Sequence, residues 1–173
     1  MVYNYQYMDE KWVTQLKVCC IVAKTSKVLL IKEWSDSKKD YLWNIVKGTF
    51  EGDIDKNLVS CVKREIVEET NLRAFPTEFL GIVNKNGFST RVYFGFLCKL
   101  SKTIDLDKKL YKKYIAGEDI TEVKWFSLPE IRKLKEDQFV NDVGYYFVQK
   151  WLSGETYPME TLKEIYLNSK STS

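Results

Sequence analysis

Three glutamates, Glu65, Glu68 and Glu69, lie in one short stretch of predicted helix. At about 100° per residue, Glu65 and Glu69 fall in the middle of the helix's apolar stripe, and Glu68 flanks it. Carboxylates on that side repel each other and lose hydration, so they need a compensating cation. Oxygens at positions i, i+3 and i+4 are predicted to converge near the helix surface, which suits a hard divalent metal such as Mg²⁺ or Mn²⁺. The alternative is an exposed acidic patch paired with lysines.

A loop with two glycines precedes this helix. A short apolar strand runs into Lys47 and Gly48, and Gly52 follows. Glycines allow the close backbone approach that a loop around an anionic ligand requires. Asp55 or Asn57 can cap the helix that follows. The sequence therefore predicts a strand, a glycine loop and a helix whose acids face a possible ligand.

The stretch from Gly48 to Leu72 resembles the Nudix box of the Nudix hydrolases, G-x5-E-x7-R-E-U-x-E-E-x-G-U, where U is aliphatic. Asn71 replaces the last glycine, and asparagine is the next-best residue for the left-handed turn that ends a helix. The wider resemblance covers roughly residues 12–135. The residues that match the box are Gly48, Arg64, Glu65, Ile66, Glu68, Glu69 and Leu72.

The loop of this box is two residues longer than the family pattern, and its first acid has no exact counterpart. Counting from either end of the box gives Ile54 or Lys56. Glu51, Asp53 and Asp55 remain as substitutes, and Asp53 is favoured because it follows Gly52. We expect the substitute to pair with Arg64 and so orient the loop.

The resemblance implies hydrolysis of a nucleoside diphosphate linked to another moiety, by attack of water at phosphorus. It implies that Glu65, Glu68 and Glu69 hold Mg²⁺ or Mn²⁺, with the carbonyl of Gly48 as a further ligand. Arg64 projects about 100° away from Glu65, so we expect it to pair with Glu68 one turn on rather than reach the metal.

Three residues outside the helix are weaker candidates. Glu118 is a possible additional base or metal ligand, although an acid in a charged loop is usually solvated. Lys47 and Arg91 are candidate phosphate contacts, against the alternative that each lies exposed on the surface.

The composition narrows the chemistry. The chain contains no histidine, which excludes Ser-His-Asp and Cys-His catalysis and histidine-bound zinc. A net charge of +3 is too balanced to indicate nucleic-acid or membrane binding by bulk electrostatics. No apolar run reaches the length of a membrane span, and four cysteines without C-x-x-C spacing indicate reduced thiols. These features predict a cytoplasmic protein.

We expect one α/β domain over residues 1–173, a Nudix-like α/β/α sandwich with a mixed β-sheet and a core at about 12–135. Helices are predicted over about 138–152 and 159–167, as an extra C-terminal segment packed on that core. The predicted strands are a hairpin within 12–34, a strand into Gly48, and strands at 74–84, 89–100 and 123–126.

The sequence does not identify the substrate. A nucleoside triphosphate, a nucleotide sugar and a capped RNA end all stay open, as does the oligomeric state, for which a homodimer is one option. A non-catalytic nucleotide sensor of the same fold is the rival function, but such proteins usually lose the acids. A purely structural domain would leave the inward acids unexplained.

Overall fold

The computed structural model describes residues 14–86, 89–101 and 120–163. The strands in these ranges are β1 (Thr14–Lys24), β2 (Lys27–Ser35), β3 (Asp40–Asn44), β4 (Val46–Thr49), β5 (Ala74–Lys85), β6 (Thr90–Leu100), β7 (Ile120–Ser127) and β8 (Tyr157–Pro158). The α-helices are α1 (Leu58–Thr70), α2 (Leu128–Ile131) and α3 (Asp142–Ser153).

The strands form one mixed sheet in the order β3-β2-β1-β6-β5-β8, with β4 also paired to β1 and β7 to β2. β1 runs parallel to β6 along most of its length but pairs with β2 only at Ala23 and Lys24. Where β2 leaves it, β1 takes β4 as its antiparallel neighbour, which sets Gly48 opposite Val18. This change of neighbour places the glycine loop beside the middle of the sheet.

In the part of the chain that the structure describes, α1 covers one face of the sheet and α3 covers the other. Buried side chains of α1, including Cys61, Val62 and Ile66, pack in one cluster with Val18 and Phe96. On the opposite face α3 packs so closely that a Cβ added to Gly95 would lie 2.1 Å from Cε1 of Phe147. The predicted α/β/α sandwich with a mixed sheet is therefore confirmed.

Both ends of α1 have the caps that the sequence predicts. The side chain of Asn57 accepts the Ser60 N–H at 2.7 Å, so Asn57, rather than Asp55, is the N-cap. At the other end Asn71 has φ of 56°, and its N–H donates to the Val67 carbonyl. These caps fix where the acidic turns of the helix begin and end.

The predicted helix at 159–167 is wrong where the structure describes it. Tyr157 and Pro158 pair with β5, and Met159–Thr161 form a single 3-10 turn. Met159 and Leu162 are partly buried against the α1 side of the core, so two of the apolar residues in the predicted helix reach the core without forming one. Residues 164–167 lie outside the described ranges. The preceding helix begins at Asp142, not near 138, because Asn141 caps it.

All four cysteines are buried and free of disulfides, as predicted. Burial raises the pKa of the Cys19 thiol to about 12, so this thiol stays protonated at neutral pH. In the part of the chain that the structure describes, no helix is long and apolar enough to cross a membrane.

Candidate active site

The acidic turns of α1 lie along β4. The carboxylate of Glu65 occupies the space over Gly48, where an added Cβ would lie only 1.7 Å from Cδ of Glu65. One turn later, Oε2 of Glu69 accepts the backbone N–H of Lys47 at 3.2 Å. Both carboxylates are buried, with Glu65 5% exposed and Glu69 4% exposed. Two acids of one helix therefore meet two consecutive residues of β4.

Arg64 links the helix to the glycine loop. Its Nε and Nη2 donate to both oxygens of Asp55, at 3.0 and 2.7 Å, and Nη2 also donates to the Thr49 carbonyl at 3.0 Å. The Asp55 carboxylate also accepts the backbone N–H of Glu51. Hydrogen bonds from Arg64 hold the pKa of Asp55 below its ordinary value, and those bonds raise the pKa of Arg64 in turn. The forked pair fixes the path of the loop.

The choice of Asp53 as the partner of Arg64 is wrong. Asp53 is exposed, whereas Asp55 is 4% exposed and receives the guanidinium. A turn causes this, because the N–H groups of Ile54 and Asp55 both donate to the Glu51 carbonyl and fold the chain back toward α1. Asp55 lies between the two positions obtained by counting from either end of the box, so the loop gains one residue on each side of its acid.

Arg64 also reaches the acids of its own helix. Its Nη1 lies 2.8 Å from Oε2 of Glu68, as predicted, but also 2.8 Å from Oε1 of Glu65. The expectation that Arg64 points away from Glu65 is therefore wrong, because the long side chain bends back across the turn. Among the described residues, no group of three carboxylates lies in an arrangement that could hold a metal as the side chains stand.

The donor chemistry of the site nevertheless fits a hard divalent cation. Glu65, Glu68, Glu69 and the Gly48 carbonyl offer oxygen only, without sulfur or imidazole. The assignment of these four residues as metal ligands stays a prediction.

The two predicted phosphate contacts differ in their surroundings. Nζ of Lys47 forms an ion pair with Oε1 of Glu33 at 2.6 Å. Burial lowers the pKa of Lys47, but the charges of Glu33 and Glu69 outweigh burial and raise it overall. Arg91 is exposed on β6. Glu118 lies outside the described residues.

A family model for the NUDIX domain matches residues 13–146. The chain belongs to the Nudix family. Phosphatase NudJ of Shigella boydii is 28% identical over 145 residues, which cover 84% of this chain and 88% of that protein. Phosphatase NudJ of Escherichia coli K12 is 27% identical over the same shares.

Solved structures show the same fold. A NUDIX hydrolase from Nitrosomonas europaea has a TM-score of 0.69 at 21% identity, covering 88% of this chain and 98% of its own. The NUDIX domain of Shewanella oneidensis NrtR, complexed with ADP ribose, has a TM-score of 0.57 at 16% identity, covering 88% and 93%.

The protein is a Nudix hydrolase, and the family acts on pyrophosphate bonds in small nucleotide-linked substrates, generally with a divalent metal. Within the Nudix box, Asp55 takes the place of the first acid. It is one methylene shorter than glutamate, and the turn at Glu51 brings it within reach of Arg64.

Sequence reasoning overlooked two residues beside the box. Glu33 holds the ammonium of Lys47, and Lys17 donates to the Thr49 hydroxyl at 2.7 Å. Both lie on strands that precede the box. The pairing of β4 with β1 brings Lys17 to it, and the pairing of β2 with β3, the strand that leads into β4, brings Glu33. One feature of the sequence could have indicated Lys17, because it is a charged residue inside the β-rich run, directly before Val18.

Gly48→Ala tests the contact with Glu65. We expect kcat to fall about tenfold, since the methyl group must displace the carboxylate of Glu65, a predicted metal ligand. The melting temperature should change little, because the displaced atoms are the end of a flexible side chain. Gly52→Ala is the matched control, because its Cβ would meet only Phe50, at 3.8 Å. Equal activity of both variants would contradict the role of the contact.

Proposed function

We propose that this chain is a divalent-metal-dependent hydrolase that cleaves the pyrophosphate bond of a nucleoside diphosphate linked to another moiety, by attack of water at phosphorus. Glu65, Glu68, Glu69 and the Gly48 carbonyl would hold the metal, Mg²⁺ or Mn²⁺. When bound, the metal would neutralise phosphate charge and lower the pKa of the attacking water. Residues 1–173 would act as one catalytic domain.

One observation carries the proposal: two buried carboxylates of α1 lie against consecutive residues of β4. Glu65 lies over Gly48 and Glu69 accepts the Lys47 N–H, so both acids are fixed relative to the backbone of the glycine loop. The phosphates of a substrate bound along this loop would lie close to the two acids. Holding the reacting groups near each other in this way lowers the entropic cost of the reaction.

Arg64 and Asp55 act as positioning residues in this scheme. The guanidinium ties the loop carboxylate and the Thr49 carbonyl to the helix that carries the acids. Nη1 also fixes Glu65 and Glu68 by charge-assisted hydrogen bonds. The positive charge limits the mutual repulsion of the acids.

A substrate panel tests the proposal. Release of phosphate or nucleotide from nucleoside diphosphate derivatives and nucleoside triphosphates should be measured with Mg²⁺, with Mn²⁺ and with EDTA. We expect products that disappear in EDTA. Metal-independent binding without any product would instead support a nucleotide sensor and overturn the proposal.

Added Mg²⁺ or Mn²⁺ should raise the melting temperature, because a cation that binds only the folded acids stabilises the folded state by mass action. The measurement is a thermal melt at several divalent-ion concentrations and constant ionic strength. The same series with Glu69→Gln should show a smaller rise. Identical melting curves for wild type at all concentrations would contradict a metal site formed before substrate binds.

A further inference from the structure

Part of the sheet face under α3 carries a group of cations. Paired residues on neighbouring strands point to the same face, and Lys17 lies opposite both Thr49 on β4 and Tyr93 on β6. Lys47 and Arg91 each lie two residues before these partners, so both are diagonal neighbours of Lys17, at about 7–8 Å between Cα atoms. Lys85 lies opposite Arg91. We call Lys17, Lys47, Lys85 and Arg91 the basic face.

Carboxylates neutralise only two of these four cations. Lys47 pairs with Glu33 at 2.6 Å, and Lys85 pairs with Asp142 at 2.5 Å. Within residues 14–86, 89–101 and 120–163, neither Lys17 nor Arg91 forms an ion pair. The basic face therefore keeps two positive charges without carboxylate partners in the described structure.

Of Lys17 and Arg91, Lys17 has the more unusual environment for a charged side chain. Its side chain is half-buried, and its ammonium donates to the neutral hydroxyl of Thr49. Burial and the neighbouring charges of Lys47 and Arg91 lower the pKa of Lys17, against a weaker opposing effect of Glu65. A cation that is partly desolvated and surrounded by like charges is costly for the fold, which an anionic ligand would offset.

Thr49 joins the basic face to the acids of α1. Its hydroxyl accepts from Lys17 and its carbonyl accepts from Nη2 of Arg64, whose Nη1 contacts Glu65. Gly48 pairs with Val18 and Thr49 pairs with Lys17, so these two positions of β4 lie on opposite faces of the sheet. A substrate whose pyrophosphate lies at Glu65 and Gly48 would reach Lys17 around the edge of β4, which among the described residues pairs only with β1. Lys17 is close enough to Glu65 for the charge of Glu65 to act on it.

We infer that Lys17 and Arg91 bind a further phosphate of the substrate, beyond the pyrophosphate held at α1, and that they select nucleoside triphosphates over nucleotide sugars. This inference rests on the proposed function. A terminal phosphate carries about −2 charge and three acceptor oxygens at neutral pH, which matches two cations that have no carboxylate partner among the described residues. The glucose of UDP-glucose carries no charge and would offer neither cation a partner.

The first test compares UTP with UDP-glucose, which share the base and differ in the third group. Lys17→Met removes the charge and keeps most of the length of the side chain, and Arg91→Gln removes the charge of the second cation with a shorter polar side chain. Each should raise KM for UTP about tenfold, the loss of one charge-assisted contact, with little change for UDP-glucose. Lys17→Arg should keep the preference. Lys99→Met, at the far end of β6, is the matched control and should change neither substrate.

A second measurement does not depend on hydrolysis. Tripolyphosphate should bind the wild-type protein in EDTA by titration calorimetry, more tightly than pyrophosphate, and both charge-removing variants should weaken it. If wild type hydrolyses no nucleotide, the proposed function fails, whereas the calorimetry still decides the inference. Equal losses for UTP and UDP-glucose would assign Lys17 to the shared pyrophosphate and overturn the inference, as would tripolyphosphate affinity that neither variant changes.

Discussion

Glu69→Gln should lower kcat by roughly 100-fold or more at saturating Mg²⁺, because the variant loses a charge that we assign to the metal. The fold should survive, since a glutamine side-chain oxygen can still accept the Lys47 N–H that Glu69 accepts now. The measurement is steady-state kinetics on the best substrate of the panel, with the metal concentration varied separately. A fall in kcat that extra metal partly restores would indicate weakened metal binding.

Glu122→Gln is the matched control for this substitution. Glu122 is an exposed glutamate on β7, and it undergoes the same chemical change without any link to α1. It should leave kcat and KM within about twofold of wild type, as surface substitutions usually do. A near-normal rate for Glu69→Gln itself would remove Glu69 from the site.

The helix and its caps could be predicted because their causes are local. Asn57 and Asn71 lie at the two ends of one apolar-periodic run, and each acts on backbone groups within four residues. The inward position of Glu65 and Glu69 follows from the same period. The family resemblance then supplied a chemistry for those acids that the period alone does not identify.

The residues that were missed depend on contacts across the fold. Asp55 becomes the partner of Arg64 because a turn at Glu51 aims it inward, and this turn has no distinct signal in a loop with three acids. Lys17 joins the site because β1 changes its neighbour from β2 to β4 midway along its length. Periodicity predicts that a residue lies on a strand, but not which strand lies beside it.

Removing the Asp55 carboxylate should impair both stability and catalysis. Asp55→Asn loses a forked pair with Arg64, and one charged hydrogen bond of this kind contributes about 2 kcal/mol to the free energy of unfolding. Activity should fall 10- to 100-fold, because the loop and the acids are no longer held together. Asp53→Asn, two residues away on the exposed side of the same loop, is the control and should behave like wild type.

The pH dependence of the free energy of unfolding tests the negative charge of Asp55 specifically. Because Arg64 lowers the pKa of Asp55 in the folded state, the ionised pair stabilises the protein at pH values above the ordinary value of 3.8. This contribution should be lost as the pH falls through the lowered folded-state pKa. Denaturant unfolding of Asp55→Asn should therefore show a shallower loss of stability in acid than wild type or Asp53→Asn. Parallel acid profiles for all three proteins would contradict an ionised Asp55 in the fold.

A double-mutant cycle with Arg64→Lys decides whether the two side chains act as one unit. Lysine keeps the positive charge of Arg64 but loses the fork that reaches Asp55, Thr49 and Glu68 together. Each single variant should impair catalysis, and the double variant should cost less than the sum, because both changes remove the same contact. The same cycle built with Asp53→Asn should be additive. Additive costs for Asp55 and Arg64 would mean that the pair does not fix the loop, and the acids of α1 would then have to be held by their contacts with Gly48 and Lys47 alone.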